Sequence, residues 1–130
     1  SDGIIKKIGG SQSKGGIEST MSFYINSMTG SPGKPRFILH LLIRDELIKG
    51  KHCTLHMITS PKVISFVYGL TSMKKIEIAA FKEMEDLCKS DYFYEMKKYP
   101  DWNFQENNDD YPKEYSMLHV KYHEDRIKNK

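Results

Sequence analysis

The chain has 130 residues, of which 38% are hydrophobic and 28% charged, with a formal net charge of +3. That length fits one domain able to bury a single core without cross-links, and the composition excludes a collagen-like or wholly disordered chain. The longest strongly apolar run, 37–43, is interrupted by His40 and is far shorter than the ~20 residues of a membrane span, so no membrane partner is expected.

Residues 1–16 hold Gly3, Gly9, Gly10, Gly15 and Gly16 among three lysines. This composition predicts a flexible basic arm before a single globular domain over 17–124, with a charged tail at 125–130. Met21, Phe23 and Ile25 alternate with Ser22, Tyr24 and Asn26, the period of a strand with one apolar face. Thr29 to Pro35 contains two prolines and two glycines and is followed by Arg36, which predicts a rigid turn with a cationic exposed side.

Phe37, Leu39, Leu41 and Ile43 alternate with Ile38, His40 and Leu42. Apolar residues at both parities predict a central strand covered on both faces. Lys49-Gly50-Lys51 then supplies turn chemistry before a strand over 52–58, whose Cys53, Leu55 and Met57 face the core, so 37–58 reads as a hairpin. Ser60-Pro61 breaks the run, and the β-branched and aromatic stretch 63–68 predicts another strand, closed by Gly69.

The period changes after Ser72, where Met73, Ile76, Ala80, Met84 and Leu87 recur at three and four residues. This is one helical face, with Ser72 as N-cap and Glu85–Lys89 as an i,i+4 pair. A second short helix is expected from Asp91 to Lys98, stopped by Pro100, then a polar loop over 101–114. Leu118, Val120 and Tyr122 alternate with His119, Lys121 and His123, which predicts a final strand. The expected class is α+β: a mainly antiparallel sheet, either a sandwich or a partly open barrel, with one or two helices before the last strand.

Two cysteines, Cys53 and Cys88, are too few for a secreted disulfide framework. They read as reduced thiols in an intracellular compartment, cytoplasmic or nuclear. Charge is unevenly spread. Residues 1–36 carry Lys6, Lys7, Lys14, Lys34 and Arg36 against Asp2 and Glu18, whereas 101–118 carry Lys113 against Asp101, Glu106, Asp109, Asp110 and Glu114. A basic front and an acidic loop could steer an anionic partner to one face.

Three patterns bear on catalysis or metal binding. His52/His56 and His119/His123 are spaced by four, but on a strand that spacing separates the side chains by about 13 Å. One ion with ~2.0–2.1 Å bonds cannot take both, although the same spacing works on a helix. His52-Cys53-Thr54-Leu55 matches half of a two-histidine phosphoesterase motif, whose second copy would be His119-Val120-Lys121, without the hydroxyl. Asp101, Glu106, Asp109, Asp110, Glu114 and Lys121 are the residue types of a carboxylate nuclease, without its spacing. No catalytic residue, metal ligand or cofactor is therefore assigned, and the chain reads as non-enzymatic.

The leading expectation is a nucleic-acid-binding module, for DNA or RNA. Lys34 and Arg36 of the Gly/Pro turn, aided by Lys6, Lys7 and Lys14, would make the phosphate contacts. The alternative is a protein-interaction or self-associating module that uses the aromatic stretch 92–104. Its candidate contacts are Tyr92, Tyr94, Tyr99 and Trp102, residue types enriched at interface hot spots.

Overall fold

The computed structural model describes residues 3–11, 18, 21–22, 30–58 and 62–130. Its elements are helix α1 (Lys34–Ile48), strands β1 (Lys62–Tyr68) and β2 (Met73–Ala79), and helices α2 (Phe81–Met96) and α3 (Lys113–Lys128). The class is α+β as expected. The sheet, however, is an open antiparallel hairpin of two strands, so neither a sandwich nor a barrel forms, and no strand follows the helices among the described residues.

The largest correction is at 37–43, which is the interior of α1 and not a central strand. An apolar run present at both parities cannot distinguish a buried strand from a buried helix. Three features select the helix here. Pro35 lies in the first turn, where its missing N–H costs nothing. Leucine and the charged residues that follow favour helix over strand. Gly50, at φ 78°, then closes the end.

Gly50 N–H donates to Leu47 O and Lys51 N–H to Glu46 O, each at 3.0 Å. These are the two bonds of a Schellman motif. The residues expected to turn a hairpin therefore cap a helix. The segment 52–58 after them has no regular structure and is not a strand.

β1 forms where its β-branched and aromatic residues predict it. Residues 73–79 were expected to begin a helix but pair with β1 as β2, in the register Ser65↔Ile76. Within Met73–Ala79 only Ile76 and Ile78 alternate, so the pattern by itself is weak, and the neighbouring strand decides. Gly69 N–H donates to Ser72 O at 2.8 Å across the turn, so Ser72 closes the hairpin and does not cap a helix.

Helix α2 begins at Phe81 and runs unbroken to Met96, in place of two shorter helices. The expected Glu85–Lys89 pair forms at 2.6 Å, joined by Lys82–Asp86 at 2.8 Å. The predicted final strand at 118–122 lies within α3. Of the strand expected near Met21, Met21 and Ser22 are helical and 23–26 lie outside the described residues.

The core is the seam between α1 and α3. Phe37, Ile38 and Leu41 are buried, Ile38 completely, and Leu42, Phe104, Tyr111, Tyr115 and Tyr122 pack around them. The polar segment between α2 and α3 closes one side of this core through two asparagines. Asn107 accepts from Tyr99 N–H at 2.9 Å and donates to Tyr99 O and Pro100 O at 3.1 and 3.0 Å. Asn103, only 1% exposed, pairs with the backbone of Ile8 as a strand neighbour would, accepting from its N–H at 3.0 Å and donating to its O at 2.9 Å. Trp102 N–H adds a bond to Lys6 O at 2.8 Å. The described part of the N-terminal arm is thus fastened onto the 99–108 segment.

Replacing Asn103 removes both bonds to Ile8 and leaves a buried void. Asn103→Ala is expected to cost about 1–3 kcal/mol, read as a lower midpoint in urea. The single tryptophan should report the loosened arm by a red shift of its emission. An unchanged midpoint and spectrum would show that the clip contributes nothing.

Candidate functional site

Helix α3 presents His119, Tyr122, His123 and Arg126 at i, i+3, i+4 and i+7, the spacing of one helical face. That face covers the segment Gly30–Pro32, which leads into α1. His119 Nε2 lies 3.1 Å and His123 Nε2 3.2 Å from Pro32 O, and the two nitrogens are 2.9 Å apart. Tyr122 donates its hydroxyl to Gly30 O at 3.2 Å. Arg126 donates to Gly30 O and, at 2.6 Å, to Ser31 Oγ. Phe37 closes the inner side, its ring 5.1 Å from that of His119 and 5.5 Å from that of Tyr122.

Reading 118–122 as a strand hid this cluster. The half-buried residues of α3 are Tyr115, Ser116, His119, Tyr122, His123 and Arg126, while Leu118 and Val120 are exposed. The informative signal was the helical spacing of the aromatic and basic residues, not the alternation of the aliphatic ones. His52 and His56 are both exposed in the irregular segment after α1.

The basic residues expected to contact phosphate do not gather on the turn alone. The Lys34 ammonium sits over the Tyr111 ring, 5.3 Å from its centre, and Arg36 is exposed on α1. Lys6 pairs with Asp101 at 3.6 Å. Lys7 is exposed as a residue, but its ammonium stands among Glu106, Lys89 and Glu85, and partial burial there lowers its pKa. Lys14 lies outside the described residues.

Lys7 therefore borders a carboxylate–lysine network. Lys89 bridges Glu85 at 2.6 Å and Glu106 at 2.8 Å. Asn103 donates to Glu106 at 3.2 Å, and Lys98 holds Asp101 at 2.8 Å. Gly10 permits this crowding, since a Cβ there would fall 2.5 Å from a Glu85 carboxylate oxygen. Of the acidic loop residues, Asp101 and Glu106 are structural ion-pair partners. Among the described residues no three of His, Cys, Asp or Glu gather into a metal-binding group, and no nuclease-like cluster forms.

The Lys34 side of the core also carries a cleft lined by Lys7, Pro35, Leu39, Trp102 and Tyr111, with a volume of about 80 Å³. Small-molecule sites occupy ~300–1,000 Å³, so this cleft is smaller than a cofactor site. A wider groove of about 540 Å³ beside α2 is open to solvent, and its charged groups Lys82, Asp86 and Lys89 are already paired. Of the four aromatic residues expected at a partner surface, Tyr94 is the most exposed, at 73%. Tyr92, Tyr99 and Trp102 are half-buried, with Tyr99 packed on Phe93 at 4.9 Å between ring centres. Cys53 and Cys88 are free thiols, both half-buried.

Compared with protein-family models, curated proteins and solved structures, the chain matches none. Among the described residues no helix is long and apolar enough to cross a membrane.

The network sets the direction of an acid response. The Lys98 hydrogen bond, aided by the Lys98 and Lys6 charges, holds the Asp101 carboxyl below its ordinary value of 3.8. Burial pushes Glu106 up, but hydrogen bonds from Lys89, its own backbone N–H and Asn103 outweigh it and leave the carboxyl below 4.5. A depressed carboxyl adds stability above its unfolded pKa and loses it as pH falls through the folded value. Thermal stability should therefore drop from about pH 5 towards pH 3, and Glu106→Gln should flatten that limb. Parallel acid limbs for the two proteins would exclude Glu106 from the response.

Proposed function

We propose that this chain is a protein-interaction module that pairs with a second copy of itself through the outer edge of β1. The observation that carries the reading is the isolation of the hairpin. Among the described residues it touches no helix, and Val63, Ile64, Phe66, Val67, Met73 and Ile78 are exposed over its two faces. A two-stranded sheet is marginally stable by itself in water and needs a third strand or a covering surface.

The charge on its edges favours one side. β2 carries Lys74, Lys75 and Glu77, the kind of residues that protect an edge from pairing. β1 carries Lys62 alone. Its sequence is also complementary to itself in antiparallel pairing. A two-fold axis through Ser65 sets Val63 against Val67 and Ile64 against Phe66 of the copy, and Lys62 beside the Tyr68 ring. Each apolar cross-strand pair is worth roughly 0.2–1 kcal/mol, and the arrangement is a closed, symmetric dimer rather than an open fibre.

Nucleic-acid binding through Lys34 and Arg36, with Lys6, Lys7 and Lys14, is the weaker proposal. Lys6 and Lys7 have carboxylates beside them, which lowers the positive potential they offer a phosphate. Exposed Tyr94 belongs to the surface of α2 and makes no part of the β1 edge.

Sedimentation of the chain over roughly 5–500 µM tests the reading, a range in which weak dimers become visible. The expected result is a concentration-dependent shift from monomer to dimer. Val63→Lys with Val67→Lys sets ammonium groups against each other across the axis and should weaken association at least about tenfold. A chain that stays monomeric throughout, or a double variant that dimerises unchanged, overturns the proposal. A monomer that binds oligonucleotide with steep salt dependence would favour the nucleic-acid reading instead.

A further inference from the structure

We infer that His119 and His123 of α3, together with the carbonyl oxygen of Pro32, form a binding site for a late first-row divalent metal ion such as Zn²⁺. The site is independent of the β1 edge and uses residues that pairing of that edge would not touch.

Histidines four apart on a helix stand on one face, one turn above the other. Here their Nε2 atoms are 2.9 Å apart, and each is within 3.2 Å of Pro32 O. The circle through three points at these separations has a radius of about 1.8 Å, just under the ~2.0–2.1 Å of a zinc–imidazole bond. An ion slightly out of the plane of the three atoms therefore reaches all of them at bonding distance. Water completes a four-coordinate shell. Two imidazoles select zinc, nickel or copper over magnesium and calcium, which prefer oxygen-only sites.

No arrangement of protons satisfies all three atoms. A neutral imidazole has one N–H, and the carbonyl has none. If both Nε2 atoms carry hydrogen, two donors face each other at 2.9 Å. If one does, its proton serves two acceptors, and the other ring's lone pair faces the carbonyl oxygen. If neither does, three lone-pair atoms converge. Each arrangement brings like groups together, and a cation at the centre relieves all of these contacts.

The three donor atoms are also rigidly held. Phe37 packs against His119, and Tyr122 stacks edgewise on His123 with ring centres 5.6 Å apart. Pro32 is buried, and Tyr122 and Arg126 hold the preceding Gly30–Ser31 segment from the same helix. The donors are held in place before a metal arrives, which lowers the ordering cost of binding. Because the ligands join α3 to the entry of α1, the ion would bind the folded seam and not the unfolded chain. Unfolding temperature should then rise with metal concentration.

The test is titration of the full chain with Zn²⁺ alone, followed by calorimetry and by the histidine ring resonances in NMR. The expected result is one ion per chain, with shifts of the His119 and His123 rings and none of those of His40, His52 and His56. His123→Asn leaves a single imidazole and should weaken binding about a hundredfold, since the second ligand no longer binds intramolecularly. His52→Asn with His56→Asn should leave affinity unchanged. Absence of saturable binding overturns the proposal, as does shifting of the His52 and His56 rings in place of the pair. The resonances are read on the unmutated protein, so a variant that fails to fold does not blur the outcome.

Discussion

Burial of one face of α1 against α3 holds the rest of the structure in place. Phe37, Ile38 and Leu41 lose nearly all contact with water, and each such side chain contributes about 1.5–3 kcal/mol. Few other large apolar residues in the described chain are buried, so this seam supplies most of the hydrophobic stabilisation. It also sets position. Pro35 starts α1 at the point where Pro32 meets the histidines, and the Phe37 ring that anchors the core is the one that supports His119. Anything that melts α1 takes Pro32 O and the Phe37 ring away from the histidine pair.

The part of the fold most readable in the sequence was β1, because Val63, Ile64, Phe66, Val67 and Tyr68, broken only by Ser65, satisfy strand propensity. The paired glutamate and lysine of α2 were also readable, since i,i+4 pairing is local. The α1 sequence was not, for a physical reason: Phe37 to Leu39 and Leu41 to Ile43 are apolar at both parities, and only His40 separates them, so the run imitates a covered strand. Gly50 held the missing information. As a turn residue it suggested a hairpin, whereas its left-handed backbone ends a helix.

The same misreading governed the site. On a strand His119 and His123 would stand too far apart for one ion, whereas on the helix their Nε2 atoms are 2.9 Å apart. Asn103 and Asn107 carried no signal at all in an acidic, asparagine-rich stretch that resembles a solvated loop. Their role depends on the backbone of Ile8 and of Tyr99–Pro100 coming within reach, and the contact with Ile8 spans most of the chain. Compensation of Lys6 and Lys7 by nearby carboxylates was likewise invisible, because the acids arrive from the other end of the sequence. The molecule thus divides its features between two regions: a packed seam that orders donor atoms, and a projecting hairpin whose β1 edge is nearly uncharged.

Native-state hydrogen exchange at a concentration too low for association tests the central claim most directly. If the α1–α3 seam is the core, the slowest amides lie in α1 around Ile38–Leu42 and in the facing part of α3, and the hairpin amides exchange through smaller, local openings. Slowest exchange in β1 and β2, with α1 exchanging early, would contradict the account, because the stable centre of the molecule would then be the sheet.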